Sequence, residues 1–140
     1  MRIAVDFDGT IVDHAYPAIG KEKLFAFQTL KELQKRGCFL ILWTYRTGKE
    51  LDEALEFCRK NGLEFYAVNK NYPEEIMDET VSRKINADIY IDDRNLGGFP
   101  GWSEVWQIIN PDNFDFNHEQ VSEADEKTLF SKLMSIFKFK

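Results

Sequence analysis

The chain has 140 residues, 44% of them apolar and 14% aromatic, enough to bury one core, since single cores are commonest at about 100–150 residues. A formal charge of −6 runs against a broad phosphate-tracking surface, which needs clustered Lys and Arg, so nucleic acid is a disfavoured partner. The opening "MRIAVDFDGT" has no charged leader joined to an apolar core, and no run reaches the ~20 apolar residues that span a bilayer. A cytoplasmic protein with no membrane partner is expected. Cys38 and Cys58 show neither CxxC spacing nor a nearby His cluster, so both read as packing residues in a reducing compartment.

In chain order, "RIAVDF" is an apolar run without alternation, the pattern of a strand covered on both faces of a parallel sheet. Across "KEKLFAFQTLKELQKRG", apolar residues recur at Leu24, Phe27, Leu30 and Leu33 before a cationic last turn and Gly37, which predicts a helix. "CFLILWT" is a second buried strand. Thr47 and Glu50 form a capping-box pattern, and Leu51, Ala54, Leu55 and Cys58 make a helical stripe that stops at Gly62. "EFYAV" is the third strand, "YPEEIMDET" opens like a helix with proline in its first turn, and "ADIYIDD" is the fourth strand. "GWSEVWQII" fits a helix or an edge strand. "NPDNFDFNHEQ" is turn-rich, and Leu129, Leu133 and Phe137 recur at spacing four on a final helix. The βαβαβαβ order predicts an α/β, Rossmann-like three-layer sandwich with a mostly parallel central sheet. One domain over 1–140 follows, its motif-bearing core at 1–110 and a C-terminal loop and helix at 111–140.

Ligands of open α/β sheets bind beyond the carboxyl ends of the strands. Three predicted strand ends carry groups suited to a phosphate: Asp6 and Asp8, then Thr44, then Asp92 and Asp93. Each cluster alone has a structural explanation, because "DG" makes hairpin turns and carboxylates cap helices. An EF-hand loop does not fit, since Thr10 and Pro17 stand where ligands belong. The coincidence carries the case. Like charges at ~4 Å repel by roughly 1 kcal/mol even in water, and a cation relieves that repulsion. Oxygen-only donors without His or Cys select Mg²⁺.

"DFDGT" after an apolar strand, the Thr closing "LILWT", a Lys after the third strand and "YIDD" closing the fourth resemble the four motifs of haloacid dehalogenase-type phosphohydrolases, over roughly residues 1 to 96. The resemblance implies a Mg²⁺-dependent phosphatase that hydrolyses a phosphate monoester through an aspartyl-phosphate. Asp6 would be the nucleophile and Asp8 the general acid and then base. Thr44 would donate its hydroxyl to the phosphoryl group. Asp6, the Asp8 backbone carbonyl and Asp93 would hold the metal, with Asp92 bonding the lysine or a metal-bound water; which member of the pair binds directly is left open. For the lysine, Lys84 precedes the fourth strand and lies roughly 17 to 20 Å from the acidic pair, whereas Lys70 leaves the third strand at the carboxyl edge, so Lys70 is preferred. Arg46 and Arg94, just past strand ends, either steer an anionic substrate or are ordinary surface charges.

Only residues 45–69 lie between Thr44 and Lys70, too few for a cap domain. "IVDHAYPAIG" has room for a short hairpin flap, which would place His14 or Tyr16 at the mouth. Closure then falls to the flap, the substrate or a second subunit in a homo-oligomer, and capless relatives accept bulky phosphorylated substrates. The alternative is a non-catalytic phosphotransfer or binding module resembling a receiver domain. Its phosphorylated Asp would end the third strand, where this chain has Val68, Asn69 and Lys70.

Overall fold

Four short apolar runs pair in parallel: β1 (Arg2–Val5), β2 (Phe39–Leu42), β3 (Ala67–Val68) and β4 (Ile89–Ile91), in the order β3-β2-β1-β4. The computed structural model describes residues 1–110; the turn-rich stretch and the C-terminal helix expected at 111–140 lie outside the described residues. Residues Met1–Trp106 form one compact unit. Ile3 pairs with Leu40 and Ile89, and Val5 with Leu42 and Ile91. Side chains alternate across a strand, so Ala4, Ile41 and Ala67 share one face, where Ile85 joins them. Ile3, Val5, Leu40 and Leu42 are fully buried as well. Burial on both faces explains why these runs lack a polar alternation.

Among the described residues the helices are α1 (Ala26–Lys35), α2 (Gly48–Lys60) and α3 (Trp102–Ile109), α3 resolving the helix-or-strand choice at "GWSEVWQII". α1 and α2 meet through Phe27 and Phe57, 5.8 Å between ring centres, and Phe7 packs edge-on against Phe57 at 6.3 Å. α1 begins five residues later than the periodicity predicts. Lys21 and Lys23 are already committed to the preceding loop, with Asp13 N–H donating to the Lys21 carbonyl at 2.8 Å and Lys23 N–H to the Ile11 carbonyl at 2.9 Å. Leu24 is consequently 76% exposed rather than part of the buried stripe. α2 follows Thr47 as expected, although the Thr47 hydroxyl makes no cap bond. Cys58 is buried on α2, and burial pushes its thiol up to about 12, which suits a packing residue.

The helix expected in "YPEEIMDET" does not form. The Glu75 carboxylate accepts from the Asn71 N–H at 2.6 Å and from its side-chain amide at 2.7 Å, while Asn71 Oδ1 accepts from the Asn86 N–H at 2.6 Å. Asp78 likewise binds the Thr80 N–H at 2.7 Å. Such local side-chain bonds compete with a helical ladder, and with Ile76 81% exposed there is no apolar stripe to favour the helix. The β3–β4 crossover is therefore a loop. It covers the Ala4–Ile41–Ala67 face with Ile85, aided by half-buried Ala87 and Tyr90, where a three-layer sandwich would place a helix.

The chain runs outward from β1 to β2 and β3, then returns to pair β4 on the other side of β1. That reversal is a topological switch point, which opens a crevice at the carboxyl ends of β1 and β4. Beside it stands a flap built from residues 11–23, in which Val12 bridges both Asp8 and Glu22. Gly20 is required there by close approach, because a Cβ at this position would lie 1.9 Å from the Asp13 carbonyl oxygen. Gly20→Ala is expected to destabilise the protein by about 1–3 kcal/mol in urea unfolding; an unchanged midpoint would mean that the two flap segments do not run so close.

Candidate active site

The backbone itself brings the acidic groups together. Asp6 N–H donates to the Ile91 carbonyl at 2.9 Å, extending the β1–β4 ladder by one bond and setting Asp6 beside Asp92 and Asp93. One carboxylate oxygen from each of the three lies within 4.8 Å of the others. Thr10 fixes the spacing: its hydroxyl donates to Asp6 Oδ2 at 3.1 Å and accepts from the Asp93 N–H at 3.0 Å. The Thr10 carbonyl in turn accepts from buried Trp102 Nε1 at 2.8 Å. Asp93 Oδ2 meets His14 Nε2 at 2.7 Å, but Asp93 Oδ1 is buried with no partner among the described residues. Gly9 lies directly under this contact at φ 92°, where a Cβ would stand 2.4 Å from Asp93 Oδ2. Burial is the main cause that pushes the Asp6 carboxyl from the usual 3.8 up to about 7; Asp92 and Asp93 add to it, against bonds from the Phe7 N–H and Thr10. Three carboxylates with no His or Cys donor make an oxygen-only set, the chemistry of a hard divalent cation, and the orphaned Asp93 oxygen fits such a role.

Asp8 faces elsewhere. Arg46, 0% exposed, donates from Nε to Asp8 Oδ2 and from Nη2 to Asp8 Oδ1, both at 2.7 Å. The same guanidinium donates to the Pro17 carbonyl at 3.0 Å and the Ala18 carbonyl at 2.7 Å, and its carbon lies 5.0 and 5.2 Å from the centres of the Phe7 and Tyr16 rings. Its bonds to Asp8 raise its affinity for the proton still further. The sequence left Arg46 between steering group and surface charge; here it is a buried tie between the flap and the turn after β1. Arg94 lines the cavity, as do His14 and Tyr16 of the flap.

The remaining groups divide. Thr44 lines the same cavity of about 620 Å³ as the acidic cluster; its N–H donates to Asn69 Oδ1 at 2.8 Å and its hydroxyl accepts from the Arg46 N–H at 3.2 Å. Asn69, at φ 52°, was missed, although Asn tolerates this left-handed backbone. Lys70 is outside the lining, and its ammonium donates to the Pro73 carbonyl. Lys84 lies over the Tyr90 ring at 5.6 Å. The basic groups on the cavity wall are thus Arg46, Arg94 and His14. Thr10 was also missed as a functional residue, although it completes the "DGT" turn.

Removing one partner of a buried ion pair strands the other, so Arg46→Met should cost about 3 kcal/mol in urea unfolding; a loss below about 1 kcal/mol would mean that the pair is not held as described. Asp6 binds its proton more tightly folded than unfolded, so proton uptake contributes stability. That contribution is complete below pH 3.8, declines as pH rises and is gone above about 7. Metal-free protein should accordingly lose stability across that window by on the order of 4 kcal/mol more than Asp6→Asn does. Parallel stability–pH curves for the two proteins would refute this.

Among the described residues, no helix is long and apolar enough to cross a membrane. No family model matches the chain, and no curated protein does. A solved structure of a conserved protein from Bacteroides thetaiotaomicron is similar at 57% identity and a TM-score of 0.76, over 80% of this chain and 91% of that one. At that identity and coverage the chain belongs to the same family as this conserved Bacteroides protein.

Proposed function

We propose that the protein is a Mg²⁺-dependent phosphatase of the haloacid dehalogenase type, acting on a phosphate monoester. The observation that carries this reading is the convergence of Asp6, Asp92 and Asp93 oxygens within 4.8 Å at the switch point, one of them buried and unpartnered. Asp6 and Asp93 would hold the ion, with Asp92 beside them. The ion would supply charge neutralisation, which lets an anionic phosphoryl group approach carboxylates. One Asp6 oxygen attacks phosphorus while the ester P–O bond breaks, and the leaving oxygen takes a proton from Asp8. Water then attacks the phosphorus of the aspartyl-phosphate and gives its proton to Asp8, releasing inorganic phosphate and restoring Asp6. Both Asp8 oxygens accept from Arg46 in an ion pair, so Asp8 must give up one of those bonds and take a proton from solvent before it can protonate the leaving oxygen. Thr44 donates its hydroxyl to the transferred group. Lys70 bonds Pro73 and the Arg46 donors are taken by Asp8, Pro17, Ala18 and Glu50, so Arg94 on the cavity wall is the better-placed partner for negative charge on the phosphoryl oxygens.

Purified protein should release phosphate from a generic aryl phosphate only with Mg²⁺, and Asp6→Asn should lower the rate by at least about 10³-fold. Independently of turnover, Mg²⁺ should raise the unfolding midpoint of wild type, an increment lost in Asp93→Ala. Persistent phosphorylation of Asp6 without phosphate release would instead make the chain a receiver-like module.

A further inference from the structure

We infer that the organic part of the substrate is a flat aromatic group, held against Tyr16 and Tyr45 at the mouth of the cavity; this rests on the phosphatase reading and extends it to substrate class. The acidic cluster accounts only for the floor. A cavity of about 620 Å³ falls within the roughly 300–1,000 Å³ of small-molecule sites, which favours a compact ester over a polymeric one. Its wall includes Tyr16 of the flap, Trp43 at the end of β2 and Tyr45 just beyond. Tyr45 is 94% exposed and Tyr16 56%, so both offer uncovered ring surface beside the place where a phosphoryl group would sit.

The two rings come from separate segments, and one is held in advance. Tyr16 lies 5.2 Å from the Arg46 guanidinium, which also bonds the flap carbonyls of Pro17 and Ala18, so the side chain that secures Asp8 also secures the flap that carries Tyr16. A preorganised ring loses little freedom on binding. Charge at the mouth is complementary as well: Arg94 lines the cavity, attracting the anionic end while the rings take the neutral one. Offset or edge-on contact with such rings adds affinity beyond area burial.

Calorimetric titration of the wild-type protein in Mg²⁺ with phenylphosphonate, methylphosphonate and inorganic phosphate tests this, since the carbon–phosphorus bond is not hydrolysed. Phenylphosphonate should bind about ten times more tightly than methylphosphonate. Tyr45→Ala, at an exposed position that leaves folding intact, should cut phenylphosphonate affinity at least about threefold and leave methylphosphonate unchanged. Equal affinities for the two phosphonates, or equal weakening of both by Tyr45→Ala, would overturn the aromatic assignment while the phosphatase reading stands. Binding of none of the three would overturn both.

Discussion

Three carboxylates that repel one another are held together by a backbone that gives them no choice. The parallel pairing of β1 with β4 places Asp6 next to Asp92 and Asp93 through the Asp6–Ile91 bond. Each like-charged pair within a few ångströms costs about 1 kcal/mol or more once partly desolvated, and the fold tolerates this because sheet pairing and Thr10 fix the geometry from below. Asp6 feels both burial and its neighbours: burial first, then Asp92 and Asp93, push its carboxyl up to about 7. Such stored electrostatic strain is typical of places where a protein binds or reacts.

A second constraint closes the other side. Arg46 is the only group described that reaches Asp8, the flap carbonyls and the α2 end of the loop together, the last through the Glu50 carbonyl at 3.4 Å. Burying a guanidinium is costly unless nearly all its donors are used, and here they are used on three separate segments. Flap position and Asp8 orientation are therefore coupled. The proposed proton transfer by Asp8 would then be sensitive to what the flap does when substrate enters.

Much of this was legible in the sequence, and the misses share a cause. Unalternated apolar runs marked β1, β2 and β4, and strand-end logic placed Asp6, Thr44, Asp92 and Asp93 on one edge, because both inferences depend on backbone periodicity alone. The helix expected at 72–80 failed because Asn71, Glu75, Asp78 and Thr80 satisfy one another locally, and no periodicity count registers that. Lys70 follows from chain position alone, and its ammonium donates to the Pro73 carbonyl, a partner that position does not announce. Arg46 was undecidable in one dimension. Its burial depends on Asp8 and Pro17, 38 and 29 residues away, and no local signal announces such partners.

The outer strands have their own consequence. Among the described residues, the sheet is bounded by β3 with two residues and β4 with three. A border so short offers few unpaired amide and carbonyl groups on which another chain could lay a strand. Stacking of copies edge to edge into ribbons is thereby discouraged by brevity alone, without the lysines or prolines that longer borders need.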